Sequence, residues 1–341
     1  MKKHAGKICQ LSALLLLLFA ALSVGAAGAI LETGKNRLYA RSVPSGNSDF
    51  QSIYHNGIPY QYDNSRINVL FLGIDKRGPL DQKTDLSDYE SGQADALYLL
   101  SYSPSEKTCE IIPIPRNTLV MLKRYGKDGE LAEEFFNQIC LQYAFSGGGP
   151  GGLSGMKEQV SGLFYGIPIH GAFALSLEGV RVAVNRMGGI PIVIPEDLTN
   201  LDPTYKKGSK VLLDGDGAFA YAHFRDITTL GSPLQRIERQ KVLISEAVQT
   251  LKTDWPRALL LTYSLAFDLP DYVCTDLTWQ EELYLAKALK DCPFSEAYFH
   301  RPEGESILMT NESGGHFDDF LADQKSLEQI TLSVFFRKGL K

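Results

Sequence analysis

The chain has 341 residues, of which 44% are hydrophobic and 22% charged, a composition that is typical of a globular protein and excludes a disordered or fibrous one. Its formal net charge is −6, and the first 31 residues contribute three lysines and no acid, so the rest of the chain is more acidic still. Non-specific binding to nucleic acid depends on Lys and Arg that neutralise phosphates, and this balance therefore argues against a nucleic-acid partner.

Residues 8–30 form an uncharged apolar segment behind the N-terminal lysines. A helix of this length spans about 34 Å, enough to cross the hydrocarbon core of a bilayer. The lysines predict a cytoplasmic stub at residues 1–7, a single-pass transmembrane anchor at 8–31 and an extracytoplasmic body. The alternative is a cleaved signal peptide, because Ala27-Gly28-Ala29 resembles a small-residue cleavage site. Both interpretations place the body outside the cytoplasm.

Residues 32–64 are polar and rich in Ser, Asn, Gly and Tyr, which predicts an extracytoplasmic linker. The domain that follows is predicted to cover residues 65–341, with a core at 65–255 and a helical continuation at 256–341. Three apolar runs open it and predict buried strands. The first, Ile67 to Ile74, delivers a carboxylate at Asp75, and the others cover residues 94–102 and 109–114.

Helical periodicity begins at Leu131, where Phe135, Ile139 and Tyr143 recur at helical spacing, and the glycine run at 147–152 is expected to end that helix as a turn. Further helices are predicted from Ser154 and at 176–187, 214–223 and 236–251, with strands at 167–175, 190–194 and 297–300. Strands that alternate with helices predict one α/β sandwich domain, in which helices flank a central, mostly buried mixed sheet.

Polar residues that suggest chemistry follow the strands or lie in later loops and helices: Asp75, Arg77, Asp95, Arg116, Arg225, Arg236 and Gln240. Asp95 is the sharpest anomaly, because a carboxylate that enters a buried strand has to be paired or metal-bound. A salt bridge or strand-start cap would also explain Asp95, and each arginine taken alone fits an ordinary surface charge. Together, two carboxylates can hold a divalent cation while several arginines bind phosphate oxygens, which suits a diphosphate site.

The five cysteines form no C-x-x-C pair and have no histidine at zinc-ligand spacing. In an oxidising compartment Cys274 and Cys292 could pair, since a separation of 18 residues is ordinary for a disulfide. The open alternative is that the cysteines are small buried apolar residues.

Several motifs, taken in order, resemble those of the LytR-CpsA-Psr (LCP) family. They lie between about residues 65 and 255 and read G-I-D-K-R, A-D-A-L-Y-L-L, I-P-R-N-T, Q-Y-A-F-S-G-G, M-G-G-I-P-I-V-I, L-L-D-G-D-G-A-F-A-Y-A-H-F-R and R-I-E-R-Q. The resemblance implies a membrane-anchored phosphotransferase that moves a teichoic-acid or capsule-type glycopolymer from a polyprenyl-diphosphate carrier to peptidoglycan. It also implies a long apolar pocket for the polyprenyl chain.

By position, the resemblance implies Mg²⁺ (or Mn²⁺) held by Asp75 and Asp95, with Asp75, Asp95 and Arg116 as the catalytic set. The diphosphate would be bound by Arg77, Arg116, Arg225, Arg236 and Gln240. A sugar hydroxyl would attack the sugar-linked phosphorus, and Asp75 or Asp95 would accept its proton.

Three positions depart from the motifs usual in that family: Gln93 and His223 stand where Arg is common, and Asn117 where Asp is common. An ordinary histidine would recover positive charge only below about pH 6.5. These neutral residues favour an alternative function, in which a protein of the same fold binds polyprenyl phosphate without turnover, as an accessory or regulatory protein. Direct transcriptional regulation is disfavoured, because the body is acidic and the cytoplasmic part is limited to residues 1–7.

Overall fold

The computed structural model describes residues 27–41, 52–76, 79–80, 91–126, 129–224, 232–293, 295–310 and 316–339. The strands are β1 (Ser52–His55), β2 (Ile58–Tyr62), β3 (Ile67–Asp75), β4 (Gln93–Ser103), β5 (Thr108–Pro113), β6 (Leu119–Tyr125), β7 (Leu131–Gln138), β8 (Gly171–Ser176), β9 (Ile190–Val193), β10 (Lys210–Leu213), β11 (Val273–Thr275), β12 (Gly304–Thr310), β13 (His316–Ala322) and β14 (Phe336–Lys338). The helices are α1 (27–40), α2 (Gln142–Phe145), α3 (Gly149–Leu163), α4 (Leu177–Arg186), α5 (Gly215–His223), α6 (Ser232–Thr253), α7 (Trp255–Phe267), α8 (Trp279–Asp291) and α9 (Gln324–Ile330).

The central sheet has five strands in the order β11-β8-β3-β4-β5. Only the β3–β8 pair is parallel, so the sheet is mixed, as the sequence predicts. Side chains alternate along β3 because successive residues of a strand point to opposite faces. Leu70 and Leu72 join a core with α2, α3 and α9, whereas Val69 packs on the other face with Leu285 of α8. The sheet is therefore covered on both faces, which explains the continuous apolar runs.

Residues 32–64 contribute folded elements to the domain, although their composition resembles a linker. Helix α1 packs so closely on α8 that a Cβ atom at Gly34 would lie 2.1 Å from the Gln280 carbonyl oxygen. Arg41 follows α1 and pairs with the buried Glu281, with Nε and Oε1 2.9 Å apart. Strand β2 pairs antiparallel with both β1 and β14. Among the described residues no helix combines the length and apolar character that a membrane span needs, and residues 8–26 of the expected anchor lie outside them.

The helix expected from Leu131 is wrong. This segment is β7, which forms an antiparallel hairpin with β6. Its first four residues are exposed, so the strand lacks the apolar alternation that would have revealed it. A second hairpin, β12–β13, lies within the part of the chain that was expected to be helical, and Thr118 and Phe320 form a bridge between the two hairpins.

Two further expectations differ from the structure in their local detail. The glycine run is not only a turn, because α3 already begins at Gly149. A side chain at Gly152 would meet the Tyr143 ring at 2.6 Å, so a glycine there allows α3 to pack closely on α2. In place of the strand expected at 297–300, a short 3-10 helix (Glu296–Tyr298) is followed by a single bridge from Phe299 to Ile111. The other predicted helices and strands are present with shifted ends.

Candidate active site

Asp95 occupies a β-bulge between the two central strands. Gly73 pairs with Ala96 and Ile74 pairs with Ala94, so Asp95 is the extra residue on β4. A bulge re-aims the side chain of its extra residue, and bulges are common beside active sites. This irregularity explains how a carboxylate enters an otherwise apolar strand without pointing into either core.

Two arginines from distant parts of the chain meet the Asp95 carboxylate. Arg116, which follows β5, places Nη1 3.1 Å from Asp95 Oδ1. Arg236, in the first turns of α6, places Nη1 3.7 Å from Asp95 Oδ2, and its Nη2 donates to the Asp95 carbonyl oxygen at 3.2 Å. All three side chains are largely shielded, with exposed fractions of 11% for Asp95, 20% for Arg116 and 8% for Arg236. The site thus holds two cations around one carboxylate.

The other partners of Arg116 are neutral. Its Nη2 donates to Gln93 Oε1 and lies 3.3 Å from the Cys140 sulfur. Burial tends to lower the pKa of Arg116, but Cys140, Asp95 and Asp75 outweigh it and the pKa is raised, so the guanidinium stays charged. Burial also raises the pKa of the Cys140 thiol. Arg116 Nε is buried and has no hydrogen-bond partner among the described residues, which leaves a donor available to a ligand.

Asp75 ends β3 directly opposite Gln93 in the antiparallel register. Unlike Asp95 it is exposed, yet its charge acts on both Arg116 and His223, which places it in the same electrostatic cluster as Asp95. It also lines a polar cavity of about 570 Å³ with Arg181, Phe219 and Tyr272. Asp75 therefore borders an open, polar space and interacts electrostatically with Arg116.

Asp75 and Asp95 are carboxylates, the ligand type that Mg²⁺ prefers. Among the described residues no group of three or more His, Cys, Asp or Glu side chains could hold a metal ion. Mg²⁺, however, usually takes one or two carboxylates and completes its shell with water and substrate phosphate. Asp75 is exposed, and Asp95 Oδ1 is buried without an aligned hydrogen bond. The donor type is therefore the one that Mg²⁺ takes, while both oxygens of Asp95 already face arginines.

His223, at the end of α5, adds less positive charge to the site near neutral pH than an ordinary histidine would. Burial lowers its pKa, and this outweighs the opposing effect of Asp95. An ordinary histidine gains positive charge below about pH 6.5, and His223 therefore gains it only at still lower pH. The ring stacks on Phe219 with centroids 4.3 Å apart, and Arg181 covers that phenyl ring at 4.2 Å.

Three polar residues near the arginine pair make mainly structural contacts: the predicted site residue Gln240, and also Arg239 and Asn117. Gln240 accepts a hydrogen bond from the Tyr98 hydroxyl at 2.9 Å, one helical turn beyond Arg236. Arg239 binds Glu196 and the Phe224 carbonyl oxygen. Asn117 donates to the Asp318 carbonyl oxygen and so attaches the site to β13. The neutral Asn117 is thus directed toward β13 rather than toward the arginine pair.

The structure therefore brings together Asp75, Asp95, Arg116 and Arg236, with Gln240 beside them. Arg77 and Arg225 lie outside the described residues. Sequence reasoning missed Cys140 and Tyr98. No sequence signal marks either residue, because both reach the site only through the packing of separate elements.

An apolar cavity of about 270 Å³ lies between the sheet and helices α6, α7 and α8. This volume is near the lower end of the range usual for ligand pockets, roughly 300–1,000 Å³. The lining is dominated by aliphatic and aromatic side chains, among them Phe71, Phe173, Val248, Leu251, Leu261, Leu265, Leu285 and Leu289. Such a cavity suits a hydrocarbon chain.

Two elements connect this cavity to the charged site. Strand β3 lines the cavity at Phe71 and ends at Asp75, about 13 Å further along an extended chain. Helix α6 carries Arg236 at the charged site and Val248 in the cavity lining, about 18 Å apart along the helix. The apolar cavity and the charged site therefore lie along the same two elements.

The sequence matches the profile of one protein family and is similar to several distant relatives. The sequence profile of the LytR_cpsA_psr family matches residues 37–333. The polyisoprenyl-teichoic acid–peptidoglycan teichoic acid transferase TagU of Oceanobacillus iheyensis is 23% identical over 223 residues, which cover 65% of this chain and 60% of TagU. TagV of Bacillus subtilis, which is also named as a polyisoprenyl-teichoic acid–peptidoglycan teichoic acid transferase, is 26% identical over 192 residues. These residues cover 54% of this chain and 44% of TagV. The chain thus spans about half the length of these two relatives.

Among solved structures, that of TagT bound to LI-WTA aligns with a TM-score of 0.58 at 19% identity, covering 84% of this chain and 95% of TagT. At this identity the likeness concerns the fold, which agrees with the mixed sheet and flanking helices described above.

Proposed function

Because the chain belongs to the LytR-CpsA-Psr family, we propose that it is a phosphotransferase that moves a cell-wall glycopolymer from a polyprenyl-diphosphate carrier to peptidoglycan. The observation that carries this proposal is that β3 and α6 connect two different regions: an apolar cavity at one end, and two largely shielded arginines around a carboxylate at the other. The curated relatives, which are named as teichoic acid transferases, support the same reaction class.

The carrier would bind with its polyprenyl chain in the apolar cavity and its diphosphate beside Arg116 and Arg236. Arginine suits this role because its planar guanidinium donates several hydrogen bonds to phosphate oxygens and stays charged. The free Nε of Arg116 supplies one such donor without breaking an existing contact. Each charge-assisted hydrogen bond contributes about 1.5–3 kcal/mol, and in a shielded site this attraction is weakly screened.

Asp75 and Asp95 would hold Mg²⁺, which when bound would neutralise phosphate charge and polarise the phosphorus centre. The acceptor hydroxyl would enter through the polar cavity, where the exposed Asp75 accepts its proton. The hydroxyl oxygen then bonds to the sugar-linked phosphorus, and the bond from that phosphorus to the bridging oxygen breaks. Polyprenyl monophosphate leaves, and Arg116 and Arg236 stabilise the charge that develops on it.

The proposed location is the outer face of the cell membrane, with the N-terminus in the cytoplasm. The apolar segment 8–30 and the lysines before it support this topology. A lipid-linked substrate also requires that the domain reach the bilayer surface, which a membrane anchor ensures.

The test uses the full chain in detergent with a polyprenyl-diphosphate-linked oligosaccharide, peptidoglycan and Mg²⁺, and measures saccharide transferred to the acceptor. We expect Mg²⁺-dependent transfer that falls by about 10²–10⁴-fold in Arg116→Ala, because two charge-assisted hydrogen bonds are lost. Arg186→Ala is the matched control, since Arg186 pairs with Asp268 on the surface.

Lipid extracted from the purified protein separates this proposal from the accessory function. If the protein binds polyprenyl phosphate but transfers saccharide to no acceptor, its function is to bind lipid phosphate and not to transfer a glycopolymer. The neutral Gln93 beside Arg116 is the observation that favours this second candidate function.

A further inference from the structure

The thiols of Cys109 and Cys292 meet in the structure although they lie 183 positions apart in sequence. Cys109 is on β5, and Cys292 directly follows α8. Their sulfur atoms are 2.7 Å apart, so the side chains are aimed at each other rather than at separate partners. Both residues are buried, with exposed fractions of 0% and 1%.

The geometry excludes the pairing of Cys274 with Cys292 that the sequence left open. Cys274 packs in the core that contains α3, whereas Cys292 packs in the core on the opposite face of the sheet, with Cys109 and Leu285. The sheet therefore separates the two residues. Cys140 is at the active site beside Arg116, which leaves Cys109 as the residue that Cys292 contacts.

We propose that Cys109 and Cys292 form a disulfide that fastens the C-terminal end of α8 to the central sheet. This inference rests on the proposed function in one respect, because an extracytoplasmic domain is exposed to oxidants that a cytoplasmic one is not. A shared metal ion is the other use of two adjacent thiols. No third His, Cys, Asp or Glu completes such a site in the part of the chain that the structure describes.

The chemistry is a thiol–disulfide exchange with an external disulfide, either a small molecule or an oxidoreductase. The Cys292 thiolate attacks one sulfur of that disulfide and forms a mixed disulfide, and one external thiol departs. Cys109 then loses its proton and attacks the Cys292 sulfur, so that the second external thiol leaves. Two protein thiols are oxidised and one external disulfide is reduced, with two protons released from the cysteines and taken up by the departing thiolates.

The order of attack is interchangeable, because the same bonds form and break when Cys109 attacks first. Because both thiols are buried in the folded protein, the exchange occurs before α8 packs on the sheet. Once formed, the bond is shielded from reductants.

The consequence concerns the lipid cavity. Helix α8 supplies Leu285, Ala286 and Leu289 to its wall, and Cys292 lies one turn beyond Leu289. A disulfide at this point fixes one wall of the cavity relative to β5, which belongs to the sheet that forms its floor. It closes a long loop, for which the entropic stabilisation of a disulfide is large.

The test expresses the full chain in a Gram-positive bacterium, blocks free thiols with N-ethylmaleimide during extraction from the envelope, and maps peptides by mass spectrometry without reduction. We expect one peptide pair linked through Cys109 and Cys292, with Cys140 and Cys274 alkylated after denaturation. In Cys109→Ser, Cys292 should become alkylated, whereas Cys274→Ser should leave the link intact.

A stability measurement supports the mapping with the wild-type chain alone. Reduction should lower the thermal midpoint of the wild type by about 5–10 °C and leave that of the double variant Cys109→Ser/Cys292→Ser unchanged. Alkylation of all four described cysteines without reductant, or a link between Cys274 and Cys292, would overturn the proposal. Transfer activity is measured separately, so an inactive but cross-linked protein would count against the proposed function alone.

Discussion

The two halves of α6 face very different surroundings. The first half presents Arg236 and Gln240, both buried and both held by polar partners on β4. The second half presents Val248 and Leu251 to the apolar cavity, where shape and hydrophobicity are the main constraints on these two side chains. Buried charges need partners in defined positions, whereas an apolar wall tolerates changes that keep its volume. The charged end of the site should therefore be far less tolerant of substitution than the cavity end.

The largest effect should come from the two carboxylates, which differ in burial. Asp95→Asn and Asp75→Asn should each reduce transfer by about 100-fold or more, because each removes a charge from the proposed metal and base set. Only Asp95→Asn should also lower the free energy of unfolding, by about 3–5 kcal/mol, since it leaves two arginines beside a neutral amide.

Transfer assays and urea denaturation of both variants check this contrast. If Asp75→Asn destabilised the protein as much as Asp95→Asn, the distinction between an exposed functional carboxylate and a buried paired one would fail.

Filling the cavity should separate lipid binding from the charged site. Ala286→Phe places a ring among the cavity-lining residues and should weaken binding of a long polyprenyl diphosphate by about 10–100-fold. A short-chain analogue that does not reach the cavity should be transferred at the wild-type rate. The control is Ala297→Phe, at an exposed position. Equal loss with both substrates would show that the ring disturbs the arginine pair instead.

Glu282 places a titratable group in the cavity lining. Burial, together with the charge of Glu281, raises the pKa of Glu282 to about 7. The folded-state pKa lies above the unfolded value, so the stabilisation is complete below about pH 4.5 and is lost as the pH rises to about 7.

Glu282→Gln should remove this loss. At pH 8 the free energy of unfolding of the variant should therefore exceed that of the wild type by about 2 kcal/mol, whereas at pH 4.5 it should not exceed it. Denaturant titrations at both pH values measure the difference, with the exposed Glu305→Gln as control. A variant no more stable than the wild type at pH 8 would mean that Glu282 is effectively solvated.

The smallest effect is expected at His223. Because burial lowers its pKa, the ring carries less positive charge between pH 6.5 and 8 than an ordinary histidine does. The pH dependence of transfer over this interval should be the same in His223→Gln and in the wild type. Loss of one limb of the profile in the variant would show that His223 does carry charge in the working enzyme.

Much of the central fold follows from local sequence. The apolar run before Asp75 forms β3. The side chains of Ser176 and Asp214 cap α4 and α5, and these two residues mark where the helices start. Continuous hydrophobic runs and N-caps are encoded within a few residues, and they are readable without knowing what packs against them. Asp95 could be singled out for the same reason, since a carboxylate inside an apolar strand is visible in the sequence itself.

Other features depend on partners that are remote in the chain. The segment L-A-E-E-F-F-N-Q favours a helix by composition, yet it is β7 because β6 offers a strand partner. The spacing of cysteines suggested Cys274 with Cys292, but the sheet lies between them and brings Cys109 to Cys292 instead. The bulge that aims Asp95, and the contact of Cys140 with Arg116, arise from strand register and packing. The sequence by itself determined which segments are buried and which residues could carry the chemistry. The tertiary structure alone decided which of them meet, because pairing across a sheet and between helices depends on contacts that local sequence does not record.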